Sequence, residues 1–285
     1  MKPAPFDYVA PRTAEEAVGL LAAAGGDAQV LAGGQSLMLE LNFRTRRPSV
    51  LVDINRVAGF SLLDVAGETV RVGPLVRHRR FESPVVNGPL GLLLARVARH
   101  IAHPPIRARG TMLGSLAYAH PAAEWPAVAV TLDAELDLLG LDGLRTVSAG
   151  DFFTGPFTTL RPPTELLVEA RLPLLPPDAQ VAIVEHRRTK ASFAEVAVVA
   201  VVTVHDGLVS TARLGLINAA DRPLRAYAAE RFLIGRPVAG FTFADAGQVA
   251  ALEDAEPIGR PHASVEYQRQ AVAVLVQRAL EEAAC

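Results

Sequence analysis

The stretch Leu31-Ala32-Gly33-Gly34-Gln35-Ser36-Leu37 closes a brief apolar run, Gln29 to Ala32, with two glycines and then opens a helix-compatible segment from Ser36. Where a strand breaks on paired glycines into a helix, the backbone is free to take positive φ and to come close to a ligand. Its consecutive N–H groups then form an anion-binding concavity. A pyrophosphate suits such a turn. No Lys or Arg lies between Leu31 and Leu37, so binding there would rest on backbone dipoles and the helix N-terminus. The alternative is a purely structural strand-to-helix turn.

Upstream, Thr13-Ala14-Glu15-Glu16 has the capping-box spacing. Ala17, Val18, Leu20 and Leu21 continue with a helical period, and Gly25-Gly26 supplies the stop. Downstream, Val50 to Ile54 is strand-like, and residues 1–57 form a small α+β unit. A second unit, 58–176, starts with two alternating segments that meet at Gly67-Glu68. It continues with a helical pattern from Leu90 to His100, an apolar helix around Ala127 to Leu132, and a strand from Leu166 to Leu172. Pro162-Pro163 and Pro176-Pro177 punctuate that strand, and the unit ends near Pro176. In the third unit, 177–285, Phe193 to Val204 and Leu208 to Ile217 flank Asp206-Gly207, a hairpin signal. Two or three helices follow, the last from about Ser264 to Glu282. The fold class is α+β.

A second loop, Arg109-Gly110-Thr111-Met112-Leu113-Gly114-Ser115, combines small residues with two hydroxyls. Together the two loops could hold one extended diphosphate ligand from two sides. Neither contains G-x-G-x-x-G or Gly-Lys-Ser/Thr, which argues against a Rossmann domain or a P-loop NTPase. Gly34-Gln35-Ser36-Leu37-Met38 lacks the second glycine of a nucleophile elbow. His100 and His103 are three apart with His120 nearby, but Pro104-Pro105 breaks the helix and no carboxylate sits at supporting spacing, so they read as solvated or hydrogen-bonded histidines. Glu124 is either an acceptor for ligand hydroxyls or a carboxylate favoured by a helix dipole. Tyr267 and Arg269 read as surface or packing residues. No constellation suggests a catalytic acid, base, nucleophile or metal site.

The chain has 285 residues, half of them apolar, enough for a real core split over two or three subdomains. With 28 basic and 30 acidic residues it carries no field that would favour nucleic acid or an anionic membrane. No stretch reaches the ~20 apolar residues of a membrane span, and Met1 to Pro5 lacks the apolar run of a signal peptide, so the expected compartment is the cytoplasm. Cys285 is the only cysteine, which rules out an internal disulfide and any cluster held by several thiolates of this chain. Iron–sulfur chemistry, if involved, must sit in another polypeptide.

These motifs, in this order, resemble the FAD-binding medium subunits of the xanthine dehydrogenase and carbon monoxide dehydrogenase family over nearly the full chain. Pro5-Phe6-Asp7-Tyr8 with Ala14-Glu15-Glu16-Ala17 is similar to the family's opening, and Ala32 to Leu37 to its first flavin loop. Leu51-Val52-Asp53-Ile54, Gly73 with Arg77-His78, and His103 to Arg107 leading into Arg109-Gly110-Thr111 follow in place. Phe152 to Pro156, Glu165-Leu166-Leu167 and Leu172-Pro173 resemble the end of the flavin domain. Ser264 to Arg269 is similar to the signature of a small C-terminal domain.

The resemblance implies an α+β fold of the vanillyl-alcohol oxidase type. Two FAD-binding subdomains, 1–57 and 58–176, would clasp the cofactor, and a C-terminal domain, 177–285, would carry a three-stranded antiparallel sheet and helices. It places the pyrophosphate on the backbone of Ala32, Gly33, Gly34, Gln35 and Ser36 and on that of Thr111, Gly114 and Ser115, with Leu31 and Leu37 also among the cofactor-binding residues. Glu124 would bind flavin hydroxyls, Ile101 and Leu167 would lie near the rings, and His78 near the cofactor. The implied partners are a small iron–sulfur subunit and a large molybdopterin subunit in a dimer of heterotrimers. Electrons would pass through FAD to NAD, a quinone or oxygen. Departures from the family are Leu113 in place of the first of two adjacent glycines, Ala108 for asparagine, His120 for aspartate before Pro121, and the region Glu185 to Ser192. Leu113 is expected to crowd the phosphate or to forbid a needed φ. A flavin-less structural subunit and a stand-alone FAD-dependent oxidoreductase are the other readings.

Overall fold

The computed structural model describes residues 2–260 and 263–284; Cys285 lies outside them. The first unit runs β1 (Asp7–Val9), α1 (Ala14–Ala23), β2 (Ala28–Leu31), α2 (Leu37–Phe43), β3 (Val50–Asp53). Its three strands are parallel in the order β1-β3-β2, so β3 ends beside both the end of β1 and the glycine turn. The capping box forms as the spacing predicts. Thr13 Oγ1 accepts from the Glu16 amide at 3.1 Å, and the Glu16 carboxylate accepts back from the Thr13 amide.

The second unit contains β4 (Leu63–Ala66), β5 (Thr69–Val72), α3 (Pro89–His100), α4 (Pro104–Arg107), α5 (Met112–Tyr118), α6 (Glu124–Thr131), β6 (Glu135–Gly140), β7 (Gly143–Ser148), α7 (Ala149–Phe152), β8 (Phe153–Gly155), β9 (Thr158–Thr159) and β10 (Leu166–Pro173). An antiparallel sheet in the order β4-β5-β10-β6-β7 forms its floor. Residues alternate across this sheet. Val70, Val72, Leu136, Leu138, Ala170 and Leu172 turn to α3, α5 and α6. The opposite face carries ion pairs such as Arg71–Glu169 at 2.7 Å and Arg171–Asp137.

The third unit, β11 (Gln180–His186), β12 (Val196–His205), β13 (Leu208–Ile217), β14 (Leu224–Arg225), α8 (Tyr227–Leu233), α9 (Gly240–Val249) and α10 (Val265–Ala284), has the three expected long antiparallel strands. The two-residue β14 adds a fourth at the edge. Strand β12 reads Val-Ala-Val-Val-Ala-Val-Val from 196 to 202 because both of its faces are buried. Ala197, Val199 and Val201 join the core of the second unit, while Val196, Val198, Ala200 and Val202 meet α8, α9 and α10. This sheet is thus a shared layer that binds the third unit to the wall of the second.

Helices α9 and α10 cross closely at Gly247. A β-carbon there would stand 2.2 Å from the Ala273 carbonyl oxygen. Helix propensity alone favours Gly→Ala by about 1 kcal/mol. Overpacking against backbone costs about 1–3 kcal/mol and dominates. Urea unfolding of Gly247→Ala is therefore expected to show a net loss of stability; a gain would mean that the crossing is looser than described.

Candidate functional site

The first turn sits at the carboxyl end of β2, where ligands gather in open α/β sheets. Its two glycines serve different needs. Gly34 has φ +73°, a conformation costly for other residues. Gly33 has ordinary φ but no spare volume, since a β-carbon there would lie 2.5 Å from the Arg109 carbonyl oxygen and 2.7 Å from Gly110 Cα. The two glycine-bearing turns therefore meet backbone to backbone. Gln35 Nε2 donates to the Gly33 carbonyl at 3.2 Å and steadies the loop. The amides of Gly33, Gly34, Gln35, Ser36 and Leu37 find no protein acceptor among the described residues, and Ser36 makes no side-chain cap to α2. Five successive unpaired donors at a strand-to-helix turn are what an anion needs.

The second turn hangs on a short antiparallel bridge. The His78 amide donates to the Gly110 carbonyl at 2.9 Å, and the Met112 amide to the Val76 carbonyl at 3.2 Å. Thr111 caps α5, its Oγ1 accepting from the Gly114 amide at 3.0 Å and its carbonyl from Ser115 at 3.1 Å. These two amides are thus already engaged, and the turn offers the hydroxyls of Thr111 and Ser115 to a ligand. The departure at position 113 is harmless to the backbone. Leu113 lies inside α5 outside the left-handed region, and its side chain is buried with Val76 and Leu116 as apolar wall. The expectation that it forbids a needed φ is therefore overturned. The cleft it helps to line still holds about 780 Å³, within the usual range for ligand sites.

That cleft is bordered by Ala32, Gly33, Gly34, Gln35, Ser36, Leu37, His78, Ile101, Thr111, Gly114, Ser115, Glu124 and Leu167. Of the residues expected from the sequence, Leu31 alone is not on the wall; it ends β2. Ile101 and Leu167 are 7% and 4% exposed and form an apolar end. His78 is buried, with Nδ1 accepting from Trp125 Nε1 at 3.0 Å. An indole nitrogen only donates, so the histidine proton is on Nε2. Burial, with Arg107 and Arg77 nearby, lowers its pKa to about 4 and keeps the ring neutral. Glu124 is the first residue of α6 and is also buried at the wall. Burial outweighs its backbone hydrogen bond and raises its pKa to about 7. Glu124 is thus a helix N-terminal carboxyl placed on the cleft wall.

His120, where the family has aspartate, does a similar job. Its Nδ1 accepts from the Ala122 amide two residues on, at 3.0 Å, as an aspartate does in an Asx-turn. Burial and Arg260 lower its pKa to about 4, leaving Nδ1 free to accept. Its ring stacks on Phe193 at 3.9 Å and 9°. His100 and His103 end up on different helices, His100 closing α3 beside Arg187 and His103 capping α4. Tyr267 Oη bonds His186 Nε2 at 2.6 Å, a packing role.

Several wall residues carry no signal in the sequence, because the packing of separate loops and helices brings them in. Arg46, Tyr118, Phe157, Thr159, Arg161 and Phe193 line the same cleft. Asn55, just past the Asp53-Ile54 motif, reaches back to the Ala32 carbonyl at 2.9 Å.

Two family models match the chain. They are described as the FAD binding domain in molybdopterin dehydrogenase, over residues 4–175, and the CO dehydrogenase flavoprotein C-terminal domain, over residues 182–283. The chain is 37% identical to the 6-hydroxypseudooxynicotine dehydrogenase complex subunit alpha of Paenarthrobacter nicotinovorans, covering 99% of this chain and 96% of that one. It is 34% identical to the carbon monoxide dehydrogenase medium chain of Hydrogenophaga pseudoflava, over 99% and 98%. A solved structure of the carbon monoxide dehydrogenase from that organism, which lacks the Mo-pyranopterin moiety of its cofactor, superposes with a TM-score of 0.95 at 34% identity, over 99% of this chain and 98% of that one.

Proposed function

The chain belongs to the family of FAD-binding medium chains of molybdopterin-dependent dehydrogenases, and from that membership we propose that it holds FAD between its two glycine turns and relays electrons from a partner's iron–sulfur clusters to an acceptor. The observation that carries this reading is the backbone contact of Gly33 with Arg109-Gly110 beneath five unpaired amides. Residues 33–37 would take the diphosphate through main-chain donors, with the hydroxyls of Thr111 and Ser115 opposite. Glu124 would accept from flavin hydroxyls, and its burial makes each such bond worth more than in water. Ile101 and Leu167 would exclude water from the ring system, and neutral His78 offers Nε2–H to the cleft edge.

Flavin exchanges electrons singly or in pairs, so when bound it can bridge one-electron clusters to NAD, a quinone or oxygen. The chain's own task is placement, burial and hydrogen bonding, with no side chain required as acid, base or nucleophile. Only one cysteine is present, so the clusters belong to a small iron–sulfur subunit. The organic substrate belongs to a large molybdopterin subunit, the whole forming a dimer of heterotrimers. Among the described residues no helix is long and apolar enough to cross a membrane, and the cytoplasm is the proposed compartment.

The purified chain is expected to be yellow, or to become so with added FAD, and to co-purify with a cysteine-rich partner and a large molybdopterin protein. A colourless protein that FAD does not reconstitute overturns the cofactor assignment. A yellow protein that stays alone and itself oxidises a small molecule overturns the relay.

A further inference from the structure

Beneath the contact between the two turns lies a chain of polar side chains that does not itself line the cleft. Arg77 Nη1 donates to the Arg109 carbonyl at 2.6 Å, the same oxygen that a β-carbon on Gly33 would strike. Its Nη2 donates to Asn55 Oδ1 at 2.5 Å. Asn55 Nδ2 in turn donates to the Ala32 carbonyl at 2.9 Å and to Asp53 Oδ1 at 2.5 Å. Asp53 Oδ1 also accepts the Asn55 amide at 2.9 Å, and Asp53 Oδ2 accepts from Tyr8 Oη at 2.6 Å. The amide orientation of Asn55 is therefore set from both ends, oxygen toward the guanidinium and nitrogen toward carbonyl and carboxylate. One guanidinium thus ties the second turn to the first through a single asparagine.

The charge of Arg77 is as telling as its bonds. Among the described residues it forms no salt bridge, and its two acceptors are neutral. Burial and the nearby Arg109 and Arg79 disfavour its charged form, with Asp53 the opposing influence. An arginine nonetheless stays charged in a protein, so its positive charge is left incompletely compensated. That charge sits against the Arg109 carbonyl, where the second turn meets the first turn and its unpaired amides. The first turn has no cation of its own.

We propose that Arg77 is the positioning residue of the diphosphate site, locking the two turns in register through Asn55 and supplying from beneath the positive potential that the first turn lacks. This rests on the FAD reading above. Two separable effects follow. The tie sets how tightly any diphosphate flavin is held, and the charge sets how that hold depends on salt.

The test uses the full chain stripped of cofactor and titrated with FAD and, separately, with riboflavin, which has no phosphate. Arg77→Met is expected to weaken FAD at least tenfold, to flatten the salt dependence of its Kd, and to change riboflavin binding less than threefold. Arg77→Lys keeps the charge but not the two-pronged reach, and is expected to restore the salt dependence with only part of the affinity. Asn55→Ala breaks the tie and leaves the charge, so it is expected to weaken FAD while the salt dependence stays as in the parent. Circular dichroism checks folding, and if Arg77→Met does not fold, Arg77→Lys and Asn55→Ala decide. Variants that bind FAD within twofold of the parent, or that lose FAD and riboflavin equally, overturn the inference alone. A parent that takes up no FAD overturns the cofactor reading and this inference together.

Discussion

Replacing Gly33 by alanine is expected to abolish FAD retention, with affinity falling at least a hundredfold, about 2.7 kcal/mol. The added β-carbon would meet the Arg109 carbonyl oxygen at 2.5 Å and Gly110 Cα at 2.7 Å, and neither is the movable end of a side chain. The turns must part. Gly110 also packs against His78, whose Nε2 lies 2.6 Å from where a β-carbon on Gly110 would be. The second turn therefore has little room to retreat, and most of the displacement falls on residues 33–37. On the proposed reading, the five unpaired amides that would bind one diphosphate are then displaced, and small errors in placement are costly for charge-assisted bonds. Overall stability should fall by only about 1–3 kcal/mol, the usual cost of overpacking. A Gly33→Ala protein that purifies yellow with unchanged FAD affinity would show that the turns do not share a ligand. Gly34→Ala is a useful companion, because its strain comes from φ +73° and not from a facing backbone.

The second large effect concerns pH. Glu124, with a folded pKa of about 7 against 4.5 for the free group, is protonated in the fold where it would be ionised in the unfolded chain. Between those values the native state binds more protons than the unfolded one, so this group makes the cofactor-free protein less stable as pH rises. The penalty is absent below about pH 4.5 and complete above about pH 7, where it amounts to about 3 kcal/mol. Glu124→Gln is thus expected to match the parent near pH 4.5 and to exceed it in urea midpoint at pH 8. If ligand hydroxyls donate to Glu124, they favour its ionised form and lower its pKa. FAD binding to the parent should then release protons near pH 7 and strengthen as pH rises, and the glutamine variant should show neither trend while binding FAD more weakly. Equal urea midpoints for the two proteins at pH 8 would remove the buried carboxyl from the account.

Much of this site was legible in the residues themselves because turn chemistry is local. Paired glycines after a short apolar strand, Thr13 three residues before Glu16, and Asp206-Gly207 between two apolar runs each describe what the backbone does over a few residues, and each forms as read. What stayed hidden was compensation between distant parts. Leu113 reads as a backbone obstacle when only its neighbours are considered, but it lies in α5 outside the left-handed region and packs with the core while still lining the cleft. His120 reads as the loss of an aspartate, yet its neutral ring accepts an i+2 amide as an aspartate does in an Asx-turn. Asn55 carries no signal until β2 and β3 pair and bring the Ala32 carbonyl within its reach.

By its sequence alone the chain specified an α+β fold, two small-residue turns able to present main-chain donors, and the absence of thiolates for a cluster, since these depend on residue type and short spacing. Tertiary structure decided that the two turns, more than 70 residues apart, meet backbone to backbone on one cleft, and that burial there raises the pKa of Glu124 to about 7 and lowers that of His78 to about 4. Convergence and burial arise from the packing of whole sheets and helices. No local run of residues encodes the distance between two turns or the water that packing removes from a carboxyl group.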